Sequence, residues 1–236
     1  MYKIATIFFA VCLLTSCEVL NQIPGTVNTG GVGTSQNEAA LGIKEALNQG
    51  LGKAVTQLNV TDGFFRSAYK ILLPPEAQKI ENTLRNLGLN SMVDKAILSI
   101  NRGAEDAAGK ATPIFIDAIR SMTLNDAINL IRGGDTSATH FFREKTTAKL
   151  TAAFRPVIQN SLDQVDATKY YGDMVSRYNS IPTTFKKLNP DLAGYVTLRA
   201  TDALFTLIAK EEKNIRENPL ARTSDLLKKV FGGLYR

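Results

Sequence analysis

The chain has no tryptophan, one histidine and only two cysteines among its 236 residues. Each shortage removes a class of chemistry. With His140 as the sole imidazole, a metal site built on two or three histidines cannot form within one chain, and no His-Glu-x-x-His motif is present. A Ser-His-Asp triad would have to use His140, which stands between Thr139 and Phe141 in a helical pattern, and there is no Gly-x-Ser-x-Gly elbow. His140 therefore reads as a surface or helix-packing residue, and neither a metal nor a cofactor is expected. Runs of one charge sign are also lacking. The net charge of +6 comes from 28 basic and 22 acidic residues spread along the sequence, so the concentrated basic patch that nucleic acid requires is missing. No stretch alternates apolar and polar residues over several positions, which leaves no basis for a significant sheet.

What is present begins at the N-terminus. Met1-Tyr2-Lys3 supplies a positive start, and Ile4 to Leu14 is almost continuously apolar. That length is too short to span a bilayer as a helix but suits the core of an export signal. The segment ends in Leu14-Thr15-Ser16-Cys17, which resembles the lipobox read by lipoprotein signal peptidase. The resemblance implies a signal peptide over residues 1–16, diacylglycerol on the Cys17 sulfur, and Cys17 as the new first residue. Cys12 would leave with the signal and Cys17 would be blocked by lipid. No intramolecular disulfide or cysteine nucleophile would then remain. Losing Lys3 lowers the net charge from +6 to +5. Two or three acyl chains hold a protein stably where one does not. The membrane is thus the expected partner, with the protein in the cell envelope facing the periplasm, the outer membrane being favoured over the inner.

Residues 17–35 read as a flexible tether. Pro24 to Gly33 is rich in Gly, Thr and Asn without an apolar period, and a coil of this kind reaches roughly 20–25 Å. Residues 36–236 carry helix signals with little interruption. Ser35-Gln36-Asn37-Glu38 has capping-box spacing ahead of the stripe Ala40, Ile43, Leu47, Leu51, Ala54 and Leu58. Pro74-Pro75-Glu76 opens a second helix that Gly88 closes. Val93, Ala96, Ile97, Ile100, Ala104 and Ala107 mark a third. Thr112-Pro113 begins a fourth, and Thr123 to Asp126 cap a fifth that stops at Gly133-Gly134. Asp135 reads as the cap of a long segment bearing Phe141, Leu150, Phe154, Val157, Ile158 and Val165, with a kink or break near Arg155 caused by Pro156. Further helices are expected from Ala167 to Asn179, from Asn189-Pro190-Asp191 onward, and between Thr223 and Gly232. The long connection Val60–Leu73 holds the turn signal Asp62-Gly63 and the aromatics Phe64, Phe65 and Tyr69, which suits either a packed lid or a binding surface. The expected fold class is all-α, one compact bundle of about eight to ten helices without significant sheet.

Several short words stand out within this pattern. They are Asn101-Arg102-Gly103-Ala104-Glu105-Asp106-Ala107-Ala108, Pro113 to Ile119, Met122-Thr123, Gly133 to Thr139, Phe142-Arg143 and Leu150 to Pro156. With them the chain, from about Glu38 to Phe231, resembles the bacterial domain-of-unknown-function family 4197. The resemblance implies an exported helical domain and brings no activity with it.

The remaining chemistry is sparse. Gly133-Gly134-Asp135-Thr136 is a glycine turn entering a helix, where backbone amides can hold an anion. Arg132 and Arg143 lie nearby in sequence, but an Asp135 cap would occupy the amides. Glu105 with Arg102, and Glu212 with Arg216, have the spacing of surface ion pairs. Asp117, Arg120, Asp135, Arg143 and Arg155 form a candidate polar cleft if their helices pack together. The residues thus favour a non-catalytic binding or scaffold module, with an envelope protein as one possible partner. The alternatives are a carrier of a lipid or other amphiphile between helices and a hydrolase using carboxylates and arginines. No catalytic residue is assigned, and an enzyme is the less favoured reading.

Overall fold

A computed structural model describes residues 35–180, 182 and 187–232. The signal peptide, Cys17 and the tether up to residue 34 lie outside the described residues. So does Ile181.

The body is helical, with no strand among the described residues. Its elements are α1 (Gln36–Leu58), α2 (Gln78–Asn86, entered by a 3-10 turn at Pro75–Ala77), α3 (Asn90–Ala108), α4 (Ala111–Ser121), α5 (Leu124–Arg132), α6 (Ser137–Asp163), α7 (Ala167–Asn179), α8 (Leu192–Glu217) and α9 (Asp225–Gly232). A second 3-10 turn, Pro219–Ala221, separates the last two. Local chemistry sets many of these ends. At α1, Ser35 accepts from the Glu38 amide and Glu38 accepts from the Ser35 amide, closing the expected capping box. Thr123 and Asp126 do the same for α5. Gly88, at φ +81°, turns the chain out of α2. There its own amide reaches Arg85 and the Leu89 amide reaches Leu84, the double bond of a Schellman cap.

Helices α6 and α8 form the centre. They pack on each other, α3 lies against α6, and α1 packs against α8, α5 and α9. Phe115 of α4 sets its ring edge-on to Phe142 of α6 at 5.4 Å and to Phe205 of α8 at 6.0 Å, so one aromatic cluster pins three helices. Where α3 crosses α6, Gly103 allows a close approach. A Cβ there would lie 2.9 Å from the Ser161 Cβ and 3.3 Å from the Ile158 Cα. Helix α8 is long and apolar enough to cross a membrane by length and composition, yet most of that stretch is buried in the core.

Three expectations need correction. Helix α6 runs unbroken through Pro156. Ala152, whose carbonyl loses its bond, faces solvent with Pro156, and Leu150, Phe154, Ile158 and Leu162 hold the opposite face in the core. Val165 is exposed rather than core, because it lies in the turn beyond the end of α6. Asp135 is not the cap of α6. The cap position is Thr136, and no side chain of that turn bonds to the helix amides.

Candidate functional site

The amides at the start of α6 are satisfied from the far side of the core. Glu212 of α8 accepts from the amides of Ala138 at 2.9 Å and Thr139 at 3.0 Å, and from the Thr139 hydroxyl at 2.9 Å. Arg216, one turn on, donates to Glu212 at 3.1 Å and to the Leu130 carbonyl at 2.7 Å. Both side chains are buried, 5% and 3% exposed. The anion that the glycine turn can hold is therefore an internal carboxylate, and this pair is not a surface ion pair. A cavity of about 20 Å³, room for about one water, adjoins them against Ile43, Leu47, Ile208 and Phe231.

Glu105 is also buried, again contrary to the surface reading. It accepts from the amides of Phe64 at 3.1 Å and Phe65 at 3.2 Å, and binds Arg102 at 2.6 Å. Arg102 continues to Asp62 at 2.7 Å. Asn101 pairs with both the amide and the carbonyl of Ile71 at 2.9 Å. Three side chains of α3 thereby strap down the Val60–Leu73 connection, whose Phe64 is fully buried and whose Phe65 and Tyr69 pack on the core. That connection is a packed lid.

A different place offers room for a ligand. Between the 3-10 turn before α2, helix α7 and the start of α8 lies a groove of about 490 Å³, within the range of small-molecule sites. Pro74, Tyr171, Leu188, Tyr195 and Leu198 supply its apolar surface, while Glu76, Lys187 and Asp191 supply charge. One wall is held from several sides. The Asn179 side chain brackets Leu188, accepting its amide at 2.8 Å and donating to its carbonyl at 2.9 Å. The Tyr171 hydroxyl donates to the Asn189 carbonyl at 3.2 Å. Asp191 accepts from both terminal guanidinium nitrogens of Arg155, at 2.7 and 3.0 Å, and also caps α8 by accepting the Gly194 amide at 2.8 Å. Burial opposes ionisation of Asp191, but the bonds from Arg155 and Gly194 outweigh it and hold the carboxyl below its ordinary range. Burial pushes the Tyr171 and Tyr195 phenols up and the negative charge of Glu76 adds to both shifts, while at Tyr195 the positive charge of Arg199 works against the rise without reversing it. Both hydroxyls stay protonated at neutral pH, and that of Tyr171 is engaged by the Asn189 carbonyl.

The five residues of the candidate polar cleft are placed as follows. Arg155 edges this groove through Asp191. Arg143 instead binds Asp202 at 2.9 Å and covers the Phe205 ring at 4.5 Å. It lies twelve residues from Arg155 along α6, roughly 18 Å at helical rise. Asp117 and Arg120 are exposed on α4, and Asp135 is exposed in the α5–α6 joint. No hydrogen bond or ion pair joins any two of the five among the described residues. His140 is exposed on α6. No group of three or more metal-ligating side chains occurs among the described residues. The tyrosines were missed by sequence reasoning. Their one signal was spacing, Tyr171 four residues before the core residue Val175 and Tyr195 four after the cap Asp191.

Residues 33–232 match the family described as "Protein of unknown function (DUF4197)". No curated protein and no solved structure matches the chain. The family match covers most of the sequence, and the chain belongs to that family.

Proposed function

We propose that this member of the family is a lipid-anchored cell-envelope protein whose helical body is a non-catalytic binding module, taking its ligand in the Tyr171–Tyr195 groove. Its anchor is lipid on Cys17, with the body facing the periplasm and the outer membrane favoured. The observation that carries the binding reading is the wall of the groove. Residues 188–191 are fixed by Asn179, Tyr171 and Arg155 before any ligand arrives, and a preorganised wall lowers the ordering cost of binding. The buried carboxylates Glu105 and Glu212 support the non-catalytic part, since each is already bonded to backbone amides and an arginine.

The anchor is tested by Cys17→Ser, expected to release the protein from the membrane fraction, and by mass spectrometry of the native N-terminus. An unmodified Cys17 thiol behind an intact Met1 overturns it. The binding reading is tested in cells with a photo-crosslinking residue in place of Leu198, on the groove wall, or of the exposed Leu220. The expected result is an adduct at position 198 that Tyr195→Ala suppresses. Equal labelling at both positions, indifferent to Tyr195, overturns it.

A further inference from the structure

Resting on the lipid anchor at Cys17, we infer that the body has a second contact with the membrane, a seat on the bilayer in which Leu41 of α1 and Leu124 of α5 enter the acyl layer. Leu41 is 59% exposed and Leu124 39%. They are neighbours through Lys44, which stands one turn after Leu41 on α1 and donates to the carbonyl of Met122, two residues before Leu124, at 3.0 Å. Position singles out the occupant. The chain enters the body at Ser35, the cap of α1, and Leu41 lies about 9 Å further on at helical rise. Only the 17 residues 18–34 separate Cys17 from that cap. A surface tethered so briefly meets the bilayer at an effective concentration near millimolar, so two leucines suffice for a contact that they could not hold alone.

The opposite end of the body points away. Lys53 of α1 pairs with Glu211 of α8 at 3.0 Å, and Gln49 reaches Ala221, just past the end of α8, so the two helices run antiparallel. Leu41 lies 12 residues before Lys53 and Leu198 lies 13 before Glu211, which puts the two leucines roughly 35–40 Å apart along the bundle. Leu198 is as exposed as Leu41 and lies at the groove, so the seat holds the groove away from the bilayer. Charge selects no headgroup, because both signs are mixed at the seat. Glu38 pairs with Lys229, Glu45 follows Lys44 on α1, and Asp117 precedes Arg120 on α4. The leucines carry the contact.

The test uses the native lipoprotein in vesicles of phosphatidylethanolamine and phosphatidylglycerol. With Cys17 acylated and Cys12 gone with the signal, one introduced cysteine is the sole thiol. Leu41→Cys, Leu124→Cys and Leu198→Cys are each labelled with the fluorophore NBD, and nitroxide-bearing phosphatidylcholine serves as quencher. The labels at 41 and 124 are expected to shift to the blue and to be quenched at least about threefold more than the label at 198, with or without phosphatidylglycerol. Adding Leu41→Asp is expected to lower the quenching at 124 by at least about twofold. If the protein floats with the vesicles while the labels at 41 and 124 stay as solvent-exposed as that at 198, the seat is overturned and the anchor stands. Quenching that requires the anionic lipid overturns the apolar contact. If the protein does not float and its Cys17 is an unmodified thiol, anchor and seat both fall.

Discussion

Glu212 and Arg216, one turn apart on α8, satisfy opposite sides of the same joint. Glu212 accepts the free amides that begin α6, and Arg216 donates to the free carbonyls that end α5, at Leu130 and, at longer range, Ile131 and Gly133. Each charge faces the helix end whose partial charge it complements. A buried ion pair alone recovers little beyond its desolvation cost; here both members are also saturated by backbone, which makes removal of either one expensive.

Glu212→Ala is therefore expected to lower unfolding free energy by roughly 3–5 kcal/mol, since it strands Arg216 and two helix amides without their partner. Asp135→Ala, in the same joint but exposed and outside the network, should change stability by less than about 0.5 kcal/mol. Urea denaturation of both variants measures this. Equal effects would show that Glu212 does not hold the joint.

The Glu105 strap predicts a local effect. Glu105→Ala removes the acceptor for the Phe64 and Phe65 amides and the partner of Arg102. Amide hydrogen exchange should rise across residues 60–73 by more than it rises in the centre of α8. A uniform rise over the whole body would show that the strap is part of the global fold rather than a separate fastening.

Two glycines should respond in opposite directions. Gly103→Val drives a side chain into Ser161 and the backbone at Ile158, and overpacking of this kind costs about 1–3 kcal/mol. Gly52, inside α1, has nothing within 4 Å of its would-be Cβ. Gly52→Ala should stabilise by about 0.5–1 kcal/mol through helix propensity. Thermal unfolding of the two variants, with shifts of opposite sign, checks the α3–α6 crossing.

The start of α8 carries a pH signature. The folded-state pKa of Asp191 lies below its unfolded value, so its bonds stabilise the protein at all pH above the ordinary carboxylate range. That contribution fades as the pH falls through the lowered folded value. Asp191→Ala should cost about 0.5–2 kcal/mol at neutral pH, as loss of a helix cap does, and the gap from the parent should close only in strong acid. A gap that closes already near neutrality would mean that the carboxyl is not held by Arg155 and Gly194.

The sequence alone determined the class of the fold and several helix ends, among them the starts of α1 and α5 and both ends of α7. The signals involved act over three or four residues: the capping boxes at Ser35 and Thr123, the apolar stripe from Ala40 to Leu58, and the glycine at position 88. Tertiary structure decided the rest. Glu105 and Glu212 both carry an arginine at helical spacing, so from sequence each looks like half of a surface pair. Each lies in the core because a distant segment brings backbone amides that need an acceptor, from Phe64 41 residues away in one case and Ala138 74 away in the other. The groove follows the same rule. Asp191 and Tyr195 lie one turn apart at the start of α8, but Tyr171 joins them only through the packing of α7 and α8, a long-range arrangement that no local periodicity encodes.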